Sequence, residues 1–156
     1  MIGELRHEPL FLMELQVGYD RAQPIGATAA GWRGVYPVDG GTVTGERVNG
    51  TVQPGGADWV TQRSDGVMVI DVRLTLATDD GAVIGMTYTG LARGRTPELT
   101  ERFRRRELLG YDDFYLRTTP RFETGDARYA WLNGLVAVAN GERTATGGRY
   151  QVFAIT

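Results

Sequence analysis

Turn sequences rich in glycine and aspartate divide this chain into many short segments in which apolar and polar residues alternate. The clearest two segments, 67–78 and 82–92, are joined through Asp79-Asp80-Gly81, which is typical of a β-hairpin turn. Nine or ten strands at this spacing, together with 22 glycines, predict an all-β, mainly antiparallel sandwich or barrel. The segments from which these nine or ten strands are expected to form are 10–17, 25–30, 34–38, 42–44, 47–53, 57–63, 67–78, 82–92, 114–119, 128–139 and 148–155.

One segment departs from this pattern and carries the signals of a helix. Thr96 suits an N-cap and Pro97 suits the first helical position. Four arginines crowd the second half of the segment, at positions 102, 104, 105 and 106. Cations at a helix C-terminus are favourable without any ligand, so a solvated face is favoured over a phosphate site. The sequence predicts one inserted α-helix near residues 97–109.

Length and charge restrict the domain count and the partners. A chain of 156 residues with 42% hydrophobic residues is large enough for one core and too short for two. We therefore expect a single domain over residues 1–156, with an N-terminal arm at 1–8. The net charge of −2 and the absence of a long apolar run argue against nucleic acid and membrane partners. The N-terminus lacks the order of a signal peptide, so a cytoplasmic location is expected.

The missing residue types restrict the chemistry. The chain has no cysteine and no lysine, which excludes thiolate nucleophiles, thiolate metal sites and Schiff bases. Its single histidine, His7, lies in the expected N-terminal arm. Proton transfer would therefore depend on Asp, Glu and Tyr, with Arg and Trp as electrostatic and stacking groups. Neither a metal nor a cofactor is expected.

The corner at residues 50–59 is the first candidate site. A short strand stops at Pro54 and turns through Gly55-Gly56, which delivers Asp58 and Trp59 to opposite faces of the next strand. An acid beside an indole at a tight corner is compatible with a site. It is also compatible with a capped turn and a packed tryptophan, which spacing alone favours.

The other candidates come from strand periodicity. Asp71 and Arg73 share the polar face of strand 67–78, either as a solvated ion pair or as part of a polar lumen. Tyr88 shares an apolar face with Ile84 and Met86, which fits a pocket wall or a core with one satisfied hydroxyl. The expected strand 128–139 places three polar or aromatic side chains on one face: Tyr129, Trp131 and Asn133.

Several of these motifs occur together in the order typical of one family. They are Gly40-Gly41 to Gly45, Gly50 to Trp59, Asp71-Val-Arg73, Thr78 to Gly81, Tyr115 to Thr124 with Arg117 and Glu123, and Tyr129 to Asn133. The chain resembles the bacterial domain-of-unknown-function family 3237, also called uncharacterised protein family 0311, from about Leu10 to Ile155. The resemblance implies a compact antiparallel, calycin-like β-barrel of about nine or ten strands with a helix inserted late.

The resemblance also points to particular residues, although it implies little about function. Carried over by motif, they are Asp58, Trp59, Asp71, Arg73, Arg117, Glu123, Tyr129, Trp131 and Asn133. The segment Gly85 to Gly90 is less charged than we expect for the family, which favours a more apolar ligand here.

The working hypothesis is a barrel that binds a hydrophobic, aromatic or polyketide-like bacterial metabolite and guides its cyclisation, isomerisation or dehydration. Asp58 and Tyr88 would move protons, and Arg73 or Arg117 would stabilise an oxyanion. The remaining candidates would bind substrate: Trp59, Asp71, Glu123, Tyr129, Trp131 and Asn133. Two alternatives are a barrel that binds a ligand without chemistry, and an assembly protein that forms a homo-oligomer through exposed strand edges.

Overall fold

The computed structural model describes residues 2–156 and consists mainly of antiparallel β-strands. The ten strands are β1 (His7–Val17), β2 (Gln23–Thr28), β3 (Gly31–Thr44), β4 (Gly50–Val52), β5 (Gly56–Gln62), β6 (Met68–Thr78), β7 (Val83–Gly94), β8 (Phe114–Glu123), β9 (Val136–Arg143) and β10 (Gly148–Ile155). The one α-helix is α1 (Pro97–Arg104), and two 3₁₀ helices cover Tyr19–Arg21 and Ala127–Gly134.

The strands close into a barrel. Eight of them follow the order β1-β10-β9-β8-β7-β6-β4-β3, and β3 returns to β1 by antiparallel pairing. β5 also pairs with both β3 and β6, and β2 pairs with β3. The predicted all-β barrel of nine or ten strands with one helix is confirmed.

Alternation along each strand separates the inside of the barrel from the outside. In β6 the buried residues are Ile70, Val72, Leu74 and Leu76, whereas Asp71 and Arg73 are exposed. The inward residues of the other strands extend this core with large side chains that include Phe11, Met13, Met86 and Val152. The predicted solvated face of β6 is therefore what the structure shows.

The two ends of the barrel are closed differently. The 3₁₀ helix Ala127–Gly134 packs Leu132 and Tyr129 into the core at one end. α1 lies at the opposite end, where the nearest atoms to Gly66 of the β5–β6 turn are in Thr100 and Arg104. Thr96 caps α1 by accepting a hydrogen bond from the Leu99 N–H, as its sequence predicts.

Several predicted elements need correction. β1 begins at His7, inside the N-terminal arm expected at 1–8, and β3 is continuous over Gly31–Thr44, where two strands at 34–38 and 42–44 were expected. α1 ends at Arg104 rather than near residue 109, because the chain turns at Arg106, which has φ of 65°. The strand expected at 128–139 is wrong, since residues 127–134 form a 3₁₀ helix and β9 begins at Val136. Asp126 starts this helix by accepting a hydrogen bond from the Arg128 N–H.

Within residues 2–156, no helix combines the length and the apolar character that crossing a membrane requires.

Candidate active site

A cavity of about 250 Å³ opens inside the barrel at the end covered by α1. Apolar and aromatic side chains from strands β1, β3, β5, β6, β7, β8 and β10 form most of its wall, together with Phe103 of α1. Polar groups are few, and they include one carboxylate, from Asp58. Its lining holds seven aromatic side chains: Tyr19, Trp32, Tyr36, Tyr88, Phe103, Phe114 and Tyr150.

The glycine corner predicted from sequence places Asp58 on the cavity wall. Gly55 has φ of 108°, a left-handed conformation that suits glycine, and β5 starts at the next residue. Asp58 lies opposite Tyr36 of β3 and Val72 of β6, and its Oδ1 accepts a hydrogen bond of 3.1 Å from the Asp71 N–H. The carboxylate therefore enters an apolar wall with a single hydrogen-bond donor.

This environment changes the acidity of Asp58. Burial raises the pKa of the carboxyl from 3.8 to about 7, because the charged form loses water that one backbone N–H does not replace. The charge of the neighbouring Asp71 raises this pKa further, whereas the hydrogen bond from the Asp71 N–H lowers it. At neutral pH both protonation states of Asp58 are populated, which suits a group that accepts and returns a proton.

Two tyrosines lie farther along the same wall. Tyr88 of β7 is opposite Val72, and its ring centroid is 5.4 Å from that of Tyr150. Burial raises the pKa of both phenols, and the Asp58 charge raises it further. The hydroxyl of Tyr88 is buried and makes no hydrogen bond of ordinary geometry within residues 2–156, although the Tyr150 hydroxyl is near enough to affect its pKa. An unpaired hydroxyl beside an acid is a donor that a ligand in the cavity can use.

Arginines stand at the rim of the cavity. Arg104 is the last residue of α1, Arg106 lies two residues beyond it, and Arg143 is the last residue of β9. The Arg143 guanidinium lies over the ring of Phe103, 5.2 Å from its centroid. The interior is thus apolar and acidic at one point, whereas its entrance is cationic.

Comparison with known proteins identifies the family. Residues 6–155 match the family described as "Protein of unknown function (DUF3237)". The chain belongs to the DUF3237 family. A UPF0311 protein from Rhodopseudomonas palustris is 36% identical over 120 residues, which are 77% of this chain and 78% of that protein.

Solved structures share the same barrel. That R. palustris protein, described as a conserved protein of unknown function, superposes with a TM-score of 0.90 at 30% identity and covers 99% of each chain. A "beta-barrel like protein" from Acinetobacter baumannii gives a TM-score of 0.87 at 30% identity, covering 100% of this chain and 99% of that one. An enzyme from Penicillium herquei gives 0.74 at 22% identity, covering 100% and 98%, which shows a shared fold.

Of the residues that the sequence singles out in this DUF3237 protein, Asp58 and Tyr88 lie together at the cavity. Trp59 points away from Asp58 and is 47% exposed on the outside of the barrel. Asp71, Arg73 and Glu123 also lie on outward faces of β6 and β8. The structure therefore does not place these four side chains on the cavity wall.

Arg117 also lies outside the cavity. Its guanidinium stacks on Tyr115 at 5.0 Å and on Tyr111 at 5.5 Å from the ring centroids, and it donates to the Leu116 carbonyl. These contacts hold the outer surface of β8 to the segment that follows α1.

The three candidates expected on one strand face instead fasten the 3₁₀ helix at the closed end. The Tyr129 hydroxyl donates a hydrogen bond of 2.9 Å to Oδ1 of Asp80. The Arg47 guanidinium lies over the Trp131 ring, 3.6 Å from its centroid. Asn133 accepts from the Thr124 N–H and donates to the Thr124 carbonyl. These contacts are structural, because they join the 3₁₀ helix to neighbouring residues at the closed end of the barrel.

Sequence reasoning missed several residues of the cavity wall. Trp32 and Tyr36 alternate on the inward face of β3, and Tyr150 does so on β10, so period-two alternation was the available signal. Arg143 was not predicted to face the cavity, because the strand was expected to end at residue 139 and alternation was not followed beyond it. The true strand carries the inward series Ala137, Ala139, Gly141 and Arg143.

Proposed function

We propose that this barrel binds one small hydrophobic molecule, aromatic or polyketide-like, and catalyses its cyclisation, isomerisation or dehydration without a cofactor. The observation that carries the proposal is the meeting of the Asp58 carboxylate and the unpaired Tyr88 hydroxyl on one apolar wall. A carboxylate with little solvation is a stronger base than one in water. A phenol hydroxyl buried away from water keeps its O–H free to donate a hydrogen bond to the ligand.

In this mechanism Asp58 takes a proton from a C–H or O–H group of the substrate. Tyr88 donates a hydrogen bond to the oxygen on which negative charge develops. Return of the proton to another atom completes an isomerisation or a ring closure, and its transfer to a departing hydroxyl releases water in a dehydration. Arg73 and Arg117 have no part in this scheme, because their side chains lie on the outer wall.

The fold is compatible with catalysis, since the P. herquei protein with this barrel is described as an enzyme. The case for this chain rests on its own residues, because a fold alone does not fix an activity.

A barrel that binds its ligand without chemistry is the second candidate. The observation in its favour is that nearly all of the wall near Asp58 is apolar, as in binding pockets that use few polar groups. The two functions differ in whether Asp58 must change its protonation state.

The test uses 5-nitrobenzisoxazole, a small neutral aromatic probe. A base removes its ring C–H proton, the N–O bond breaks, and the cyanonitrophenolate product is followed by absorbance. We expect turnover above the buffer rate, with an apparent pKa near 7, the value of Asp58. Asp58→Asn should lower the rate by about 100-fold or more, as loss of a general base does.

The matched control is Asp79→Asn, which makes the same chemical change at an exposed turn residue. Its rate should equal that of the wild type. Turnover that survives in Asp58→Asn would remove Asp58 from the mechanism. A wild-type rate no higher than that of buffer would overturn catalysis and leave the binding barrel in its place.

A further inference from the structure

We propose that the natural ligand of this cavity is an organic anion, an aromatic body bearing one carboxylate-type group that Arg143 and Arg106 hold at the mouth. This inference rests on the proposed function and specifies its substrate class. It places the acidic group of the ligand at the rim and the body of the ligand against Asp58 and Tyr88.

The first argument is the position of Arg143. It ends the inward face of β9, is half-buried, and lines the same cavity as Asp58. The charge of Arg143 is near enough to act on Tyr150, whose pKa it lowers against the effect of burial. The guanidinium therefore belongs to the electrostatic environment of the inner wall.

The second argument is that two of the three rim arginines have no anionic partner, since Arg104 alone of the three pairs with a carboxylate, that of Glu101 at 2.8 Å, within residues 2–156. Arg102 and Arg105 lie near the end of α1 outside the cavity lining, and both pair with Glu107, at 2.7 and 3.5 Å. Arg106 and Arg143, which line the cavity, have neither a carboxylate nor another hydrogen-bond acceptor as a partner within residues 2–156. Guanidinium groups remain charged at all physiological pH values and bind carboxylates through paired N–H donors.

The third argument is the shape of the Arg106 backbone. With φ of 65°, Arg106 is the one non-glycine residue with positive φ in the described chain. This conformation is uncommon for a residue with a long side chain. Here it reverses the chain after α1 and sets the arginine at the cavity.

The fourth argument comes from an unpaired donor. Gln62 lies on the inward face of β5, and its Nε2 is buried without a hydrogen-bond partner in the part of the chain that is described. Oxygen acceptors on the ligand would satisfy this group. The cavity of about 250 Å³ is below the usual range for drug-sized ligands, which favours a body of one or two rings.

The test compares two probes of nearly equal shape, 2-naphthoate and neutral 2-naphthamide, by isothermal titration calorimetry. At low salt we expect the wild type to bind the acid about tenfold or more tightly than the amide, because screening is weak there. Arg143→Gln and Arg106→Gln should each lose about tenfold for the acid and stay within about twofold for the amide.

Two control variants separate charge from structure. Arg105→Gln removes a neighbouring arginine that does not line the cavity, so its preference for the acid should be that of the wild type. Arg143→Lys keeps the charge and should retain most of the preference. Both Arg143→Gln and Arg143→Lys lose the packing contacts of the guanidinium, so a change in melting temperature shared by the two variants would measure that packing. Only Arg143→Gln removes the charge, so only this variant should lose the preference for 2-naphthoate over 2-naphthamide.

The inference is overturned if the amide binds as tightly as the acid, if Arg143→Gln weakens both probes equally, or if neither probe binds. Failure of the inference can be told apart from failure of the proposed function. 5-Nitrobenzisoxazole is neutral, so its Asp58-dependent turnover by the wild type tests the proposed function separately from the comparison of the acid with the amide.

Discussion

Replacing Asp58 by asparagine should stabilise the protein in alkaline solution and have less effect in acid. The pKa of Asp58 is 3.8 as a free group and about 7 in the folded chain. Between these values the folded chain keeps a proton that the unfolded chain has released, so the free energy of unfolding falls as pH rises. Above about pH 7 the carboxylate is ionised inside the cavity, and its full penalty is present. Asparagine does not ionise and carries no such penalty.

The size of the effect follows from the shift. One pKa unit corresponds to about 1.36 kcal/mol, so a shift of about three units sets an upper value of about 4 kcal/mol. Asp58 is only half-buried and faces a cavity that water can enter, so we expect about 2 kcal/mol. The oxygen of the asparagine amide can still accept the Asp71 N–H, so loss of that bond should not offset the gain.

Urea unfolding of the wild type and Asp58→Asn at about pH 4 and about pH 8 measures this effect. The stability difference between the two proteins should move by about 2 kcal/mol in favour of the variant at the higher pH. Asp79→Asn, at the exposed β6–β7 turn, should show the same difference from wild type at both pH values. A difference for Asp58→Asn that is constant to within about 0.5 kcal/mol would refute the raised pKa and with it the base.

Two further substitutions test the wall and the closed end. Tyr88→Phe removes a hydroxyl that has no partner, so the free energy of unfolding should stay equal or rise by up to about 1 kcal/mol, while turnover of 5-nitrobenzisoxazole falls. A loss of more than about 1 kcal/mol in urea unfolding would show that this hydroxyl is bonded. Asn133→Ala removes both hydrogen bonds to Thr124 and should cost about 1–2 kcal/mol, with unchanged binding of 2-naphthamide by calorimetry. Weaker binding of this probe would make Asn133 part of the ligand site.

The barrel could be predicted where local signals and tertiary structure agree. The β6–β7 hairpin forms at Asp79-Asp80-Gly81, where Gly81 takes φ of 91°, and alternation in β6 correctly separates Val72 from Asp71. The corner at Gly55 likewise delivers Asp58 and Trp59 to opposite faces. In each case the turn residue and the strand period together determine the local structure.

The segment 127–134 shows why the closed end could not be predicted in the same way. Its aromatic residues alternate in sequence, which suggested a strand, but the buried residues Tyr129 and Leu132 are three apart. A spacing of three is the period of a 3₁₀ helix, and Gly125-Asp126 before it is a start signal that alternation obscured. This error assigned Trp131 and Asn133 to a ligand wall and hid the inward position of Arg143.

Which of the candidate carboxylates and arginines face the cavity is decided by closure of the barrel. The sequence of a single strand does not determine that closure. Asp58 and Asp71 are carboxylates on adjacent strands, and a backbone hydrogen bond joins them. The pleat turns Asp58 inward and Asp71 outward, so Asp58 loses solvation on the cavity wall, which raises its pKa, whereas Asp71 is exposed to water. Arg73 and Arg143 differ in the same way, because Arg73 alternates outward whereas Arg143 completes an inward face.

The cavity wall also costs stability in a way that argues for a ligand. Burial raises the pKa of Asp58, so its ionisation near neutral pH lowers the free energy of unfolding. The Tyr88 hydroxyl is buried without a hydrogen bond of ordinary geometry, which also destabilises the folded state. A valine and a phenylalanine at these positions would remove both penalties and match the apolar neighbours Val60 and Val72. Two unfavourable groups lie on one wall, below Arg106 and Arg143, which have no carboxylate partner within residues 2–156. A bound molecule explains this arrangement better than folding does. Such a molecule would accept a hydrogen bond from Tyr88, exchange a proton with Asp58 and present its acidic group to Arg143.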